Sequence, residues 1–251
     1  MKVLKITVAI VLILVFALSF AACSKTEEDK VSANGVWTYA ENDDGTITIT
    51  GVKIFSENMV VPAELDGKAV SALGEKAFVL IDNSSKRNAG VYLENKTLKT
   101  VTIEAPVKSI PAMCFYYCVA LTNVTLPETV TSIGAFSFFN CSSLPSIVLP
   151  EKCEEIGEYS FRQCTSLTSV TILNNGEEVV SLGAKAFYCL DEKAKKSKQY
   201  YISDSLSIYV QNIELYNATR LEEKRINTKN DTYKFWEEYA NAGSIKSIAK
   251  E

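Results

Sequence analysis

This chain of 251 residues carries thirty carboxylates, seven cysteines and no histidine. The missing imidazole excludes Ser-His-Asp and Cys-His catalysis and every zinc site that needs a histidine. Thiolate metal sites are disfavoured too, because no C-x-x-C pair occurs. Glu151, Glu154, Glu155 and Glu158 are the densest acidic cluster. Two of them converging in a cleft would supply the acid and base of a hydrolase; spread along an outer edge they are merely solvated. Apart from Cys23, the cysteines fall into register. Cys118, Cys141 and Cys164 stand 23 residues apart, Cys114 shares a small-residue column with Ala77, Ser137, Ser160 and Ala186, Cys153 replaces Val130, and Cys189 closes the last unit. Side by side on neighbouring strands, the first three would lie about 4.8 Å apart with parallel Cβ vectors, wider than the ~3.8 Å of a good bridge. The six are therefore read as buried free thiols. No catalytic residue, metal or cofactor is expected.

The cysteine spacing belongs to a wider pattern that must position everything else. Leu98, Leu121, Leu144 and Leu167 are each 23 residues apart, as are Val101, Val124, Ile147 and Val170, and Ile103, Leu126, Leu149 and Ile172. Ile110, Ile133 and Ile156 keep step, with Leu182 after three extra residues, and so do Phe115, Phe138, Phe161 and Phe187. An earlier partial unit ends in Val70, Leu73, Ala77 and Phe78, separated by an insertion of about 80–96 expected to loop out on one face.

The units LTNVTLPETVTSIGAFSFFNC and LPSIVLPEKCEEIGEYSFRQC resemble the BspA-like class of bacterial leucine-rich repeats, over about 36–210. The entry WTYAENDDGTITITG is similar to that family's leading hairpin. The resemblance implies a leucine-rich-repeat right-handed solenoid, one short strand per turn, used for surface recognition. The expected fold is mainly β with short turns or helical corners, an N-terminal β-hairpin entry and a helical C-terminal cap.

Elementary physics agrees with a stacked array. Val124 and Leu126 alternate with Asn123 and Thr125, the period of a half-buried strand. Pro127 should end that strand, having no amide to donate. No unit buries its Leu, Val, Ile and Phe alone, so neighbours must. Gly74, Gly134, Gly157 and Gly183 share one column, but its occupant in the second unit is Pro111, which cannot adopt positive φ. The column therefore calls for a missing or compact side chain at a tight corner.

The first 22 residues have a basic n-region (Lys2, Lys5), an apolar run over 6–20 and small residues Ala21-Ala22, the layout of a secretory signal. The run is short for a retained membrane span. Small residues followed at once by Cys23 and then SKTEEDK resemble the lipobox of bacterial lipoproteins, with Phe20 where that family usually has Leu. The resemblance implies lipid attachment at Cys23 and an extracytoplasmic, membrane-anchored protein. The expected organisation is a signal peptide over 1–22, a polar tether over 23–33, the solenoid over 34–210 and a cap over 211–251.

The formal charge is −4; without Lys2 and Lys5 it falls further, so nucleic acid is an unsuitable partner. An extracellular protein or glycan is expected instead, bound by a monomer. Two surfaces are candidates. The outward strand positions Thr100, Thr102, Asn123, Thr125, Ser146, Val148, Ser169 and Thr171 form a hydroxyl-rich strip, although Thr also simply suits exposed strands. The second stripe precedes the small column at Lys76, Met113, Phe136, Tyr159 and Lys185, and gains Tyr116, Tyr117 and Phe139 after the Phe column. Exposed together these mark an interaction site; otherwise they pack under the insertion or the C-terminal segment. Lys193, Lys195, Lys196 and Lys198 form a basic loop that is solvated or touches anionic lipid. After Val210 the columns stop, and Phe235 and Trp236 are expected on an aromatic helix face that seals the open end.

Overall fold

A computed structural model describes residues 29–83, 90–174, 180–190, 200–202, 205–210 and 245–247. Cys23, the basic loop, Phe235 and Trp236 lie outside these residues. Strands and turns make up the described residues, with no helix among them.

The N-terminal part contains β1 (Lys30–Val31), β2 (Trp37–Glu41), β3 (Ile47–Val52), β4 (Asn58–Val61), β5 (Glu64–Leu65) and β6 (Lys68–Leu73). The insertion forms β7 (Leu80–Asp82) and β8 (Val91–Leu93). The repeats supply β9 (Thr100–Ile103), β10 (Ser109–Ile110), β11 (Asn123–Thr125), β12 (Ser132–Ile133), β13 (Ser146–Leu149), β14 (Glu155–Ile156), β15 (Ser169–Ile172) and β16 (Ser181–Leu182). The last are β17 (Tyr188–Leu190), β18 (Tyr200–Ile202), β19 (Ser207–Val210) and β20 (Ile245–Ser247).

The expected entry hairpin is β2–β3, antiparallel, and β3 continues in parallel onto β6. It takes the place of a preceding unit: the Gly74 amide donates to Ile49 O at 2.8 Å, as the Gly134 amide does to Ile110 O at 2.7 Å. Lys30 and Val31 already pair with Tyr39 and Thr38, so ordered sheet begins inside the stretch read as tether.

Three ladders join the repeats. The first strands pair in parallel in the expected register, Val101 beside Val124 and Ile147 beside Val170. The second strands align Ile110, Ile133, Ile156 and Leu182. The first ladder is interrupted between β11 and β13. Thr122 N donates to Lys99 O at 2.7 Å and Thr168 N to Pro145 O at 2.9 Å, but in the intervening unit the donor position is Pro145, which has no N–H.

The third ladder lies at the corners, where helical geometry was one expectation and turns are found. Met113, Phe115 and Tyr117 donate their amides to Ala135 O, Ser137 O and Phe139 O at 3.0, 2.7 and 2.9 Å, and Phe136, Phe138 and Asn140 repeat this onto Glu158, Ser160 and Arg162. A helix would spend those amides on its own carbonyls. Directing them at the next unit requires left-handed backbone in two columns. Lys76, Met113, Phe136, Tyr159 and Lys185 have φ between 52° and 62°, and Tyr117, Asn140 and Gln163 between 58° and 64°. Each costs about 1–2 kcal/mol in an L-residue. Three inter-unit bonds contribute about 0.5–1.5 kcal/mol each, a gain comparable to the strain of the two left-handed residues in each corner.

The core is a file of apolar columns. Phe78, Phe115, Phe138, Phe161 and Phe187 stack ring on ring at 4.6, 5.1, 5.0 and 5.2 Å between centroids. Trp37 of the hairpin covers the near end, edge-on to Phe78 at 6.0 Å. The glycine column has ordinary φ: the positive-φ glycines are Gly35, Gly45, Gly67 and Gly90. A Cβ on Gly134 would lie 2.6 Å from Ala112 N, so the column is a close approach of backbones, as the proline in it required.

Two expectations fail at the C-terminal end. The columns do not stop at Val210, because Ile245 pairs in parallel with Ile208 and Ser247 with Val210. That pairing also puts a strand within the segment expected to be a helical cap; residues 211–244 lie outside the described residues.

Candidate binding surfaces

On the strand face, Asn123, Thr125 and Ser146 are exposed, while Thr100, Thr102, Ser169 and Thr171 are half-buried beside their neighbours. Val60 and Val148 are about half exposed, at 50% and 51%. Thr100 Oγ1 donates to Asn58 Oδ1 at 2.7 Å. The break at Pro145 divides this strip, leaving Asn123 and Thr125 on one sheet and Ser146, Ser169 and Thr171 on another.

The corner stripe is different, because its side chains touch. Tyr116 stacks on Phe139 at 5.1 Å and lies 4.6 Å from Tyr117. Phe136 bridges Phe139 at 5.9 Å and Tyr159 at 5.0 Å. The Arg162 guanidinium sits over Tyr159 at 4.9 Å and over Phe139 at 5.9 Å, within cation–π range. All these residues, and Met113, are half-buried. The left-handed backbone explains the outward throw of Met113, Phe136 and Tyr159: their amides face the next unit and their side chains leave the core.

One end of this stripe packs under the insertion. The insertion does not merely loop out; its β7–β8 hairpin sets Tyr92 edge-on against Tyr116 at 5.3 Å, and Lys76 Nζ lies 5.5 Å from the Tyr92 ring centre. Burial, with Tyr117 alongside, pushes the Tyr116 hydroxyl up to about 12. The rings farther along remain open on one side. The hairpin adds exposed apolar residues, Ile81, Val91 and Leu93.

Next to the band runs an open groove of about 810 Å³, with Tyr117 and Phe139 on its apolar side and Asn140, Ser143 and Gln163 among its polar lining. Glu94 and Lys96, paired at 3.0 Å, stand at its edge. Sequence reasoning missed Tyr92 and Arg162. Arg162 occupies the column that follows Phe161 as Tyr116 follows Phe115, so its position was readable although its residue type hid it.

Glu151, Glu154, Glu155 and Glu158 are exposed, and none lines the groove. The six described cysteines are buried and unbridged. Cys118, Cys141 and Cys164 donate their thiols to Phe78 O, Phe115 O and Phe138 O at 3.5, 3.2 and 3.1 Å. The thiol column thus satisfies a buried carbonyl in the unit before it, a second reason for cysteine there besides size. Among the described residues, no group of three or more Cys, Asp or Glu is placed to hold a metal ion.

Residues 88–205 match six copies of the family described as BspA type leucine rich repeat region. Those residues are a BspA-type leucine-rich repeat array. A crystal structure of a T. pallidum leucine rich repeat protein has the same fold as the array, with a TM-score of 0.53 and 24% identity over 72% of this chain and 71% of that one. A leucine-rich repeat protein from Bacteroides capillosus is 27% identical over 58% of this chain and 99% of its own, with a TM-score of 0.46. No curated protein matches the chain. The BspA-type array thus carries its candidate surfaces on a corner ladder and a strand face, both set by the repeat.

Proposed function

We propose that this protein is a non-catalytic binding module of the bacterial cell surface, anchored through a lipid on Cys23, that holds an extracellular protein or glycan on the aromatic band of its array. The observation that carries the reading is the contiguity of the band. Tyr116, Phe139, Phe136 and Tyr159 come from three successive units, touch in sequence and stay half-exposed. Rigid aromatic anchors of this kind dominate recognition energetics, since they present large area at little entropic cost. A purely structural envelope lipoprotein has no use for such a surface. The strand face offers hydroxyls divided between two sheets, without a run of touching rings among the described residues, which favours the corner.

The test is a binding screen of the intact chain against extracellular matrix proteins and glycans, with Phe136→Ser/Tyr159→Ser and Thr125→Arg variants alongside. A saturable ligand lost only in the first variant, with unchanged melting temperature, supports the band. Loss only in Thr125→Arg moves the site to the strand face. Cys23→Ala should release the protein from membranes and abolish incorporation of labelled fatty acid; retention of label would refute the anchor.

A further inference from the structure

We infer that the N-terminal end of the array, formed by β1–β3, is a membrane-docking surface that seats on neutral lipid through Ile54 and Val31. This goes beyond the binding-module reading and rests on one part of it, the lipid on Cys23. Ordered sheet begins at Lys30, where β1 pairs with β2. Six residues separate Lys30 from Cys23, and fully extended that stretch spans about 24 Å. With the acyl chains in the bilayer, this end of the array cannot leave the membrane surface by more than that reach.

Apolar side chains stand exposed at the same place. Ile54 is 60% exposed, the most of any large aliphatic residue among the described residues, and Val31 is 47% exposed. Lys53 N donates to Val36 O at 2.8 Å, which holds Ile54 beside the turn between β1 and β2. Val31 pairs with Thr38, whose neighbours Trp37 and Tyr39 are buried, so Val31 lies on the face turned away from the core. Two aliphatic side chains bind lipid weakly on their own. Behind a short tether the contact is intramolecular, at an effective concentration in the millimolar range, so a small area suffices.

Charge selects the lipid. Glu41 pairs with Lys30 at 2.6 Å and also with Lys68, and Glu27, Glu28 and Asp29 directly precede β1. An anionic surface would repel these carboxylates, which leaves apolar contact within the interface of neutral lipid. The exposed Lys53, next to Ile54, can extend its ammonium to the headgroups while its stem stays with the apolar contact. Docking also sets the order of the units. Trp37 of the same sheet covers the near end of the phenylalanine stack, so each later unit stands about 4.8 Å farther out. A partner of the aromatic band is then met close beside the membrane rather than at the end of a long stalk.

The experiment places an environment-sensitive nitrobenzoxadiazole dye on the acylated full chain at Ile54→Cys, Leu93→Cys or Val148→Cys, bound to phosphatidylcholine vesicles that contain a nitroxide-labelled lipid. The six described cysteines are buried, so the introduced thiol takes the dye. The dye at position 54 should shift to the blue and be quenched by the nitroxide. At 93 and 148, exposed sites on the insertion hairpin and the strand face, it should keep its aqueous spectrum. Added phosphatidylglycerol should not strengthen the response, and high salt should not remove it. A dye at Lys53→Cys should respond as at 54 and return to its aqueous spectrum when Ile54→Asp is added. An aqueous spectrum at 54, or stronger quenching at 93 or 148, overturns the inference, as does a response that needs phosphatidylglycerol and vanishes in high salt. Any of these with fatty acid still found on Cys23 leaves the anchored-module reading standing, whereas absence of that fatty acid overturns both.

Discussion

Gly157 lies against the backbone of Ala135 so closely that a Cβ on it would sit 2.6 Å from the Ala135 nitrogen, 2.7 Å from the Gly134 carbonyl carbon and 2.9 Å from Ile133 O. All three are main-chain atoms of the preceding unit, with no flexible side chain to yield. The Gly157 amide meanwhile donates to Ile133 O at 2.7 Å. A methyl group must therefore force two units apart and stretch that bond. Gly157→Ala should lower unfolding stability by about 1–3 kcal/mol, read as a reduced urea midpoint at unchanged slope. A change below about 0.5 kcal/mol would show that the corner relaxes freely.

The left-handed positions give a pair of opposite signs. Lys185 has φ 52° and is exposed, so glycine there relieves the strain without opening a cavity in the core. Lys185→Gly should stabilise the fold by about 0.5–1 kcal/mol, the relief of strain less the entropy of a freer unfolded chain. Phe136 has the same backbone, φ 56°, but stacks between Phe139 and Tyr159; Phe136→Gly should destabilise. Equal effects at the two sites in urea melts would mean that strain, not the rings, sets the balance.

Burial pushes the Cys118, Cys141 and Cys164 thiols well above their ordinary 9.0. The folded state holds these protons after the unfolded chain has released them. Their contribution is therefore complete below about pH 9 and is lost as pH rises above it, by about 1.4 kcal/mol per pH unit for each thiol. Urea stability measured from neutral to alkaline pH should fall more gently in Cys141→Ala than in the parent, by that one-thiol slope. Identical slopes would show that Cys141 ionises without unfolding.

The apolar columns were legible because burial of Leu121, Val124, Ile133 and Phe138 imposes a period that no surface requirement disturbs. The proline in the glycine column likewise carried enough information to assign close packing there. The left-handed corners were not legible, since Met113, Phe136 and Tyr159 are residue types that ordinarily avoid such backbone; only the ladder to the next unit makes it worthwhile. At the site, the stripe was read from column position, but its contacts with Tyr92 and Arg162 depend on how the insertion hairpin folds back. Ile245 escaped because its partner Ile208 lies far from it in sequence, which hides the repeat.

The proline that interrupts the first ladder also gives the array a direction of weakness. Between the units led by Leu121 and Leu144, the second-strand and corner ladders are intact while the first-strand side lacks its hydrogen bonds. A stack fastened along two edges and open along the third behaves as a hinge. Bending that opens the strand face at Pro145 is cheaper there than at any neighbouring joint with all its ladders whole, and it leaves the opposite fastenings unbroken. Phe139 and Asn140 belong to one half of that hinge and Arg162 and Gln163 to the other, so the groove spans the joint whose first ladder is missing.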